Sequence, residues 1–171
     1  FPRVTGQIPV YYNFLRAARP CNEYYGDGRC YRDIPAKPLY PFGYGLSYTS
    51  FKTSNLESDK AVLTLPQLKN GETFKVSVNV KNTGELDGKE TVQLYIKDNV
   101  SSIVRPLREL KGYKKIFIKA GETAKIEFNV GLEELSFFNS NLERVVEPGE
   151  FTVYVGDDCM ASDNIKLVIE R

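Results

Sequence analysis

The stretch Tyr24-Tyr25-Gly26-Asp27-Gly28-Arg29-Cys30-Tyr31-Arg32-Asp33 has the residue types of a carbohydrate contact. Aromatic faces stack on sugar rings, and Arg and Asp exchange hydrogen bonds with sugar hydroxyls. Tyr24, Tyr25, Arg29, Tyr31 and Asp33 are therefore the candidate substrate-binding residues. The same composition suits a loop turned by its glycines and packed on a neighbouring surface, and packing is the preferred reading. Cys21 and Cys30 are spaced to close a small disulfide ring in an oxidising compartment, or to stay as free thiols beside Cys159.

Other chemistry is constrained by what is missing. The sequence has no histidine, which excludes a Ser-His-Asp triad, a Cys-His pair and an imidazole-bound metal. Glu85, Asp87 and Glu90 surround a turn and read as solvated charge. Asp157, Asp158 and Asp163 with Asn164 suggest calcium by type, but their spacing is not that of an EF-hand, and an ordinary loop is the better reading. No catalytic residue, metal or cofactor is assigned. The 23 basic and 22 acidic residues nearly cancel, so no basic face for nucleic acid is implied. No apolar run reaches the ~18 residues of a membrane span.

The elements that must position these residues fall into two halves. Residues 1–50 hold eight of the eleven tyrosines and six of the nine prolines, and that many prolines leave no window for a stable helix. This half is expected to lie extended against another surface. Its end, PLYPFGYGLSYTSF from Pro38 to Phe51, has aromatic rings or proline at seven of fourteen positions and carries no charge. Gly43 and Gly45 permit tight bends, and Pro38 and Pro41 keep the chain extended. Tyr40, Phe42, Tyr44 and Tyr48 are expected to lock two domains together, with Leu46 and Phe51 entering the core of the second.

From Phe51 the pattern is that of antiparallel strands. Phe74, Val76, Val78 and Val80 alternate with polar residues, and so do Val92, Leu94 and Ile96. The alternation returns at Ile126-Phe128-Val130, Phe151-Val153-Val155 and Ile165-Leu167-Ile169. Period two means one buried face and one wet face. Asn70-Gly71, Asn82-Thr83-Gly84, Asp87-Gly88, Ala120-Gly121 and Pro148-Gly149 mark the turns. Leu132-Glu133-Glu134-Leu135 fits one helical turn. The expected fold over residues 51–171 is all-β: an immunoglobulin or fibronectin type III-like antiparallel sandwich of about seven strands. Arg105-Pro106 should protect a sheet edge, and Arg105 is also placed to pair with a carboxylate of an adjoining domain.

The blocks PLYPFGYGLSYTSF, VKNTGELDGKETVQLYIKD, RPLRELKGYKKI, AGETAKIEF, ELSFFN and VEPGEFTVYVG, in that order, resemble the C-terminal end of family 3 glycoside hydrolases. FPRVTGQIPVYYN is similar to the close of their α/β-sandwich domain. The resemblance implies residues 1–50 as the end of that domain plus a linker, and 51–171 as the fibronectin type III-like sandwich. It implies that the catalytic carboxylates of a retaining β-glucosidase or β-xylosidase lie upstream of Phe1, so this chain alone is expected to hydrolyse nothing. The implied partners are the barrel and α/β catalytic domains, in cis or as a separate chain, with carbohydrate substrate held by the whole. Secretion or a periplasm suits that class, and the start at Phe1 reads as a cut. The alternative is a free-standing carbohydrate- or protein-binding module, which would need a row of exposed aromatics; Tyr95, Tyr113 and Tyr154 are few for that purpose.

Overall fold

Alternating apolar residues create a strand with one oily face, and two such sheets bury those faces against each other. The computed structural model describes residues 1–7, 12–15, 34–35 and 37–171. In chain order its elements are β1 (Phe51–Ser58), β2 (Val62–Thr64), α1 (Leu65–Lys69), β3 (Phe74–Asn82), β4 (Gly88–Asp98) and β5 (Glu109–Ile118). They continue with β6 (Thr123–Val130), α2 (Leu132–Leu135), β7 (Phe137–Phe138), β8 (Arg144–Val145), β9 (Gly149–Gly156) and β10 (Asn164–Glu170).

One sheet has the order β1-β3-β6 and the other β2-β10-β9-β4-β5, with β7 and β8 forming a small ribbon. The described sandwich is thus richer than the seven strands expected, because the edges carry short pieces that alternation alone does not reveal. Most pairs are antiparallel, but β2 runs parallel to β10, pairing Val62 with Val168. Phe74, Val76, Val78 and Val80 meet Leu94, Phe151, Val153 and Leu167 in the dry layer between the sheets. The turn of helix at Leu132–Leu135 forms as expected, with the Glu134 carboxylate accepting from the Gly131 amide at 2.8 Å. Helix α1 carries no long periodic signal; Thr64 caps it through a reciprocal pairing with Gln67, and Gly71 at φ +91° follows its end.

Two expectations need correction. Leu46 is 88% exposed and stays outside the core, whereas Phe51 packs against it. The outer face of β4, expected to be wet, is dry at Gln93 and Tyr95, both buried along with their inward neighbours. Something outside the sandwich covers them, and that cover is the segment preceding β1.

Candidate functional site

The cover is an aromatic strap, residues 38–49, laid across β4 and the loop after β9. Gly43 comes so close to β4 that an added Cβ would sit 2.1 Å from Gln93 Oε1 and 2.8 Å from the Tyr95 hydroxyl. Its φ of +86° is also in the left-handed region that glycine alone adopts freely. Beneath it, the Tyr95 hydroxyl donates to Gln93 Oε1 at 2.5 Å, and Gln93 Nε2 donates to the Gly43 carbonyl at 2.9 Å and to the Asp157 carbonyl. The Cys159 amide donates to the Phe42 carbonyl at 2.9 Å. Burial pushes the Tyr95 phenol above its ordinary value, and burial likewise raises the Cys159 thiol.

The far end of the strap is tied by Asn82, which is fully buried at the end of β3. Its amide nitrogen donates to the carbonyls of Leu86 and Ile118 at 2.8 and 3.0 Å. Its carbonyl accepts from Thr49 Oγ1 at 2.8 Å and from the Gly84 amide at 3.1 Å. All four bonds an Asn side chain can make are used, so one residue joins the strap, the β3–β4 turn and the end of β5.

On the strap's other side the rings form a cleft. Tyr12 stacks on Phe42 with centroids 4.0 Å apart and meets the edge of Tyr95 at 6.3 Å. Tyr40 and Tyr44 lie 5.0 Å apart, and the Phe1 ring meets the Tyr40 edge. Phe1, Tyr12, Tyr40, Phe42 and Tyr44, with Phe14 and Met160, border a cavity of about 890 Å³. No carboxylate stands among the described residues lining it. Arg108 at its rim is committed: it donates to the carbonyls of Cys159 and Ala161 at 2.8 and 2.7 Å and lies 3.6 Å above the Tyr154 ring. Among the described residues, the surface has the chemistry of an apolar seat.

The expected interface residues sit as follows. Tyr40, Phe42 and Tyr44 each keep nearly half of their surface exposed, and Tyr48 is 98% exposed beside Leu46. Together they make an uncharged outer face fixed from beneath. Arg105 differs from the expectation: its guanidinium meets carboxylates of this same chain, Asp98 at 2.9 Å and Glu109 at 2.7 Å, and lies 4.7 Å from the Phe137 ring. Burial pushes Asp98 above the usual carboxylate range. Burial acts on Glu109 too, but Lys111 and then Arg105 hold it below that range. Arg105 and Pro106 themselves lie in the loop before β5, the outermost strand of its sheet, and Pro106 is bridged by Leu15.

Tyr24, Tyr25, Arg29, Tyr31 and Asp33, with Cys21 and Cys30, lie outside the described residues. Asp87 accepts from the Ala120 amide, Asp158 from the Met160 amide and Asp163 from Thr53 Oγ1, and no cluster among the described residues has metal-holding geometry. Tyr95 is buried and Tyr154 lies beneath Arg108, leaving Tyr113 as the exposed member of the three strand tyrosines. Sequence reasoning missed Gln93, Tyr95, Asn82 and Tyr12. The available signal was an amide and a phenol, where lysine or glutamate would be usual, at wet positions of a central strand.

Comparison with known proteins follows the same lines. Residues 90–159 match the fibronectin type III-like domain family. A β-xylosidase of Formosa agariphila is 44% identical over 95% of this chain and 21% of its own length. A periplasmic β-glucosidase of Salmonella typhimurium is 41% identical over 92% of this chain and 20% of its own. The crystal structure of a β-glucosidase from Listeria innocua in complex with glucose superposes with a TM-score of 0.84 at 42% identity, covering 100% of this chain and 23% of that one. The chain thus spans about a fifth of the length of the relatives it matches. Residues 90–159 thus carry a fibronectin type III-like domain, and the chain as a whole is similar to the C-terminal portion of family 3 β-glucosidases and β-xylosidases.

Proposed function

We propose that this portion serves as a docking and stabilising element, its strap sealing against the catalytic domains of a β-glycosidase that acts on terminal β-linked glucose or xylose. The single observation carrying the reading is the two-sided strap. One side is held by Gln93, Cys159 and Asn82, while the other offers Tyr40, Tyr44, Leu46 and Tyr48 without a charge. Large apolar faces fixed in that way on a water-soluble surface mark a partner, and tyrosine suits a contact dry at the ring and wet at the hydroxyl.

The enzyme so stabilised is of the retaining class, with two carboxylates ~5–5.5 Å apart supplied by its other domains. Residues Tyr24–Asp33 would then shape the substrate entrance. The Salmonella typhimurium relative is named periplasmic, which supports a periplasmic or extracellular setting. No described helix is long and apolar enough to cross a membrane.

The test is the double substitution Leu46→Asp with Tyr48→Asp. In the complete enzyme it should lower Tm by several degrees and weaken glycoside turnover. In the isolated chain, where both residues already face water, Tm should hold. An unchanged complete enzyme would remove the docking role.

A further inference from the structure

The strap is one part of the surface that meets other residues; the loop between β4 and β5 is a second. Residues Asn99–Val104 carry no charge, and Val100 and Val104 are 80% and 67% exposed. Their exposure does not come from a slack loop. Ser101 Oγ donates to the Ile103 carbonyl at 2.8 Å, and the Ser102 amide donates to the Glu147 carboxylate at 2.9 Å. The neck is closed by Arg105, whose side chain is 8% exposed and bridges Asp98 at the end of β4 to Glu109 at the start of β5.

Beside that neck the loop receives the backbone of Phe14 and Leu15. The Leu107 amide donates to the Phe14 carbonyl at 3.0 Å, and Leu15 bridges Pro106 in antiparallel register. Phe14 and Leu107 also line the aromatic cleft, so loop and strap border one continuous surface.

We infer that the 99–107 loop is a second docking arm for the preceding domain of the same polypeptide. It accepts the chain arriving from that domain by main-chain pairing at 106–107, and presents Val100 and Val104 to the domain's apolar surface. Arg105 is its positioning residue. A guanidinium spanning both carboxylates fixes the angle at which the loop leaves the sandwich. Lysine, a point charge with a flexible stem, would hold one of them. The occupant is indicated by residues 12–15 already seated on the root of the loop, and by relatives about five times the length of the matched portion.

The inference rests on the docking reading but is tested apart from the strap. Hydrogen exchange on the 171-residue chain reads the Leu107 amide directly. Arg105→Met should speed its exchange at least tenfold while amides of β3 and β9 keep their wild-type rates. If Arg105→Met loosens the whole sandwich, Arg105→Lys retains the buried cation and should still give a several-fold increase. Leu107 exchange unchanged in both variants would overturn the positioning role. For the arm itself, Val100→Asp with Val104→Asp should lower Tm of the complete enzyme and leave the isolated chain as it was; no change in the complete enzyme would overturn it. Because Leu46 and Tyr48 are untouched, failure of this pair and failure of the strap variants are separate results.

Discussion

Gly43 is the residue on which the strap turns. A methyl group there would meet both Gln93 and Tyr95 and would also hold an L-residue at a positive φ. Strain and overpacking each cost about 1–3 kcal/mol, so Gly43→Ala should lose about 2–4 kcal/mol in urea unfolding of the isolated chain. A loss under ~0.5 kcal/mol, the range of ordinary surface changes, would show that strap and β4 are not in register. Glu90 gives a pH test. Burial first, and then Asp157, raises its folded-state pKa above the ordinary carboxylate value. A group raised on folding disfavours the folded state once it ionises, so its cost is present at neutral pH. That cost fades as pH falls through the raised value, and it vanishes below the unfolded one. Glu90→Gln should therefore raise Tm at pH 7, with the gain shrinking to nothing as pH falls toward 4. A gain that grew on acidification would reverse the assignment.

At the scale of elements, the strap and β4 form one unit. A chain cut to residues 38–171 should be more stable than one cut to 51–171 by about 2–4 kcal/mol, since the shorter cut uncovers Tyr95 and leaves Gln93 without its strap partner. Equal stability by chemical denaturation would mean that the strap is a passive tether. Strands β3, β6, β9 and β10 were legible in the sequence because their inward valines, isoleucines and phenylalanines alternate with residues that reach water. Strand β4 was legible as a strand yet misread in environment: alternation reports one buried face and is silent about a cover drawn from elsewhere in the chain. Leu46 failed in the opposite sense. An apolar residue five positions before a strand looks like core, but only the path of the backbone shows that it faces outward. Asn82 was read as part of a turn signal. Its four-bond knot depends on Thr49, Gly84, Leu86 and Ile118 converging in space, which spacing along the chain does not encode.

For the whole molecule, the uncharged outer face of the strap should be covered once the chain is part of the longer glycosidase we propose. Tyrosine reactivity distinguishes the two states residue by residue. Tyr44 and Tyr48 face solvent in the isolated portion, and Tyr113 on the outer edge of the five-stranded sheet is 68% exposed. Modification of tyrosine by a water-soluble reagent, followed by peptide mass spectrometry, should therefore label all three in the isolated chain. In the complete enzyme Tyr44 and Tyr48 should become protected at least tenfold while Tyr113 stays reactive. Equal labelling of Tyr44 and Tyr48 in both forms would contradict it.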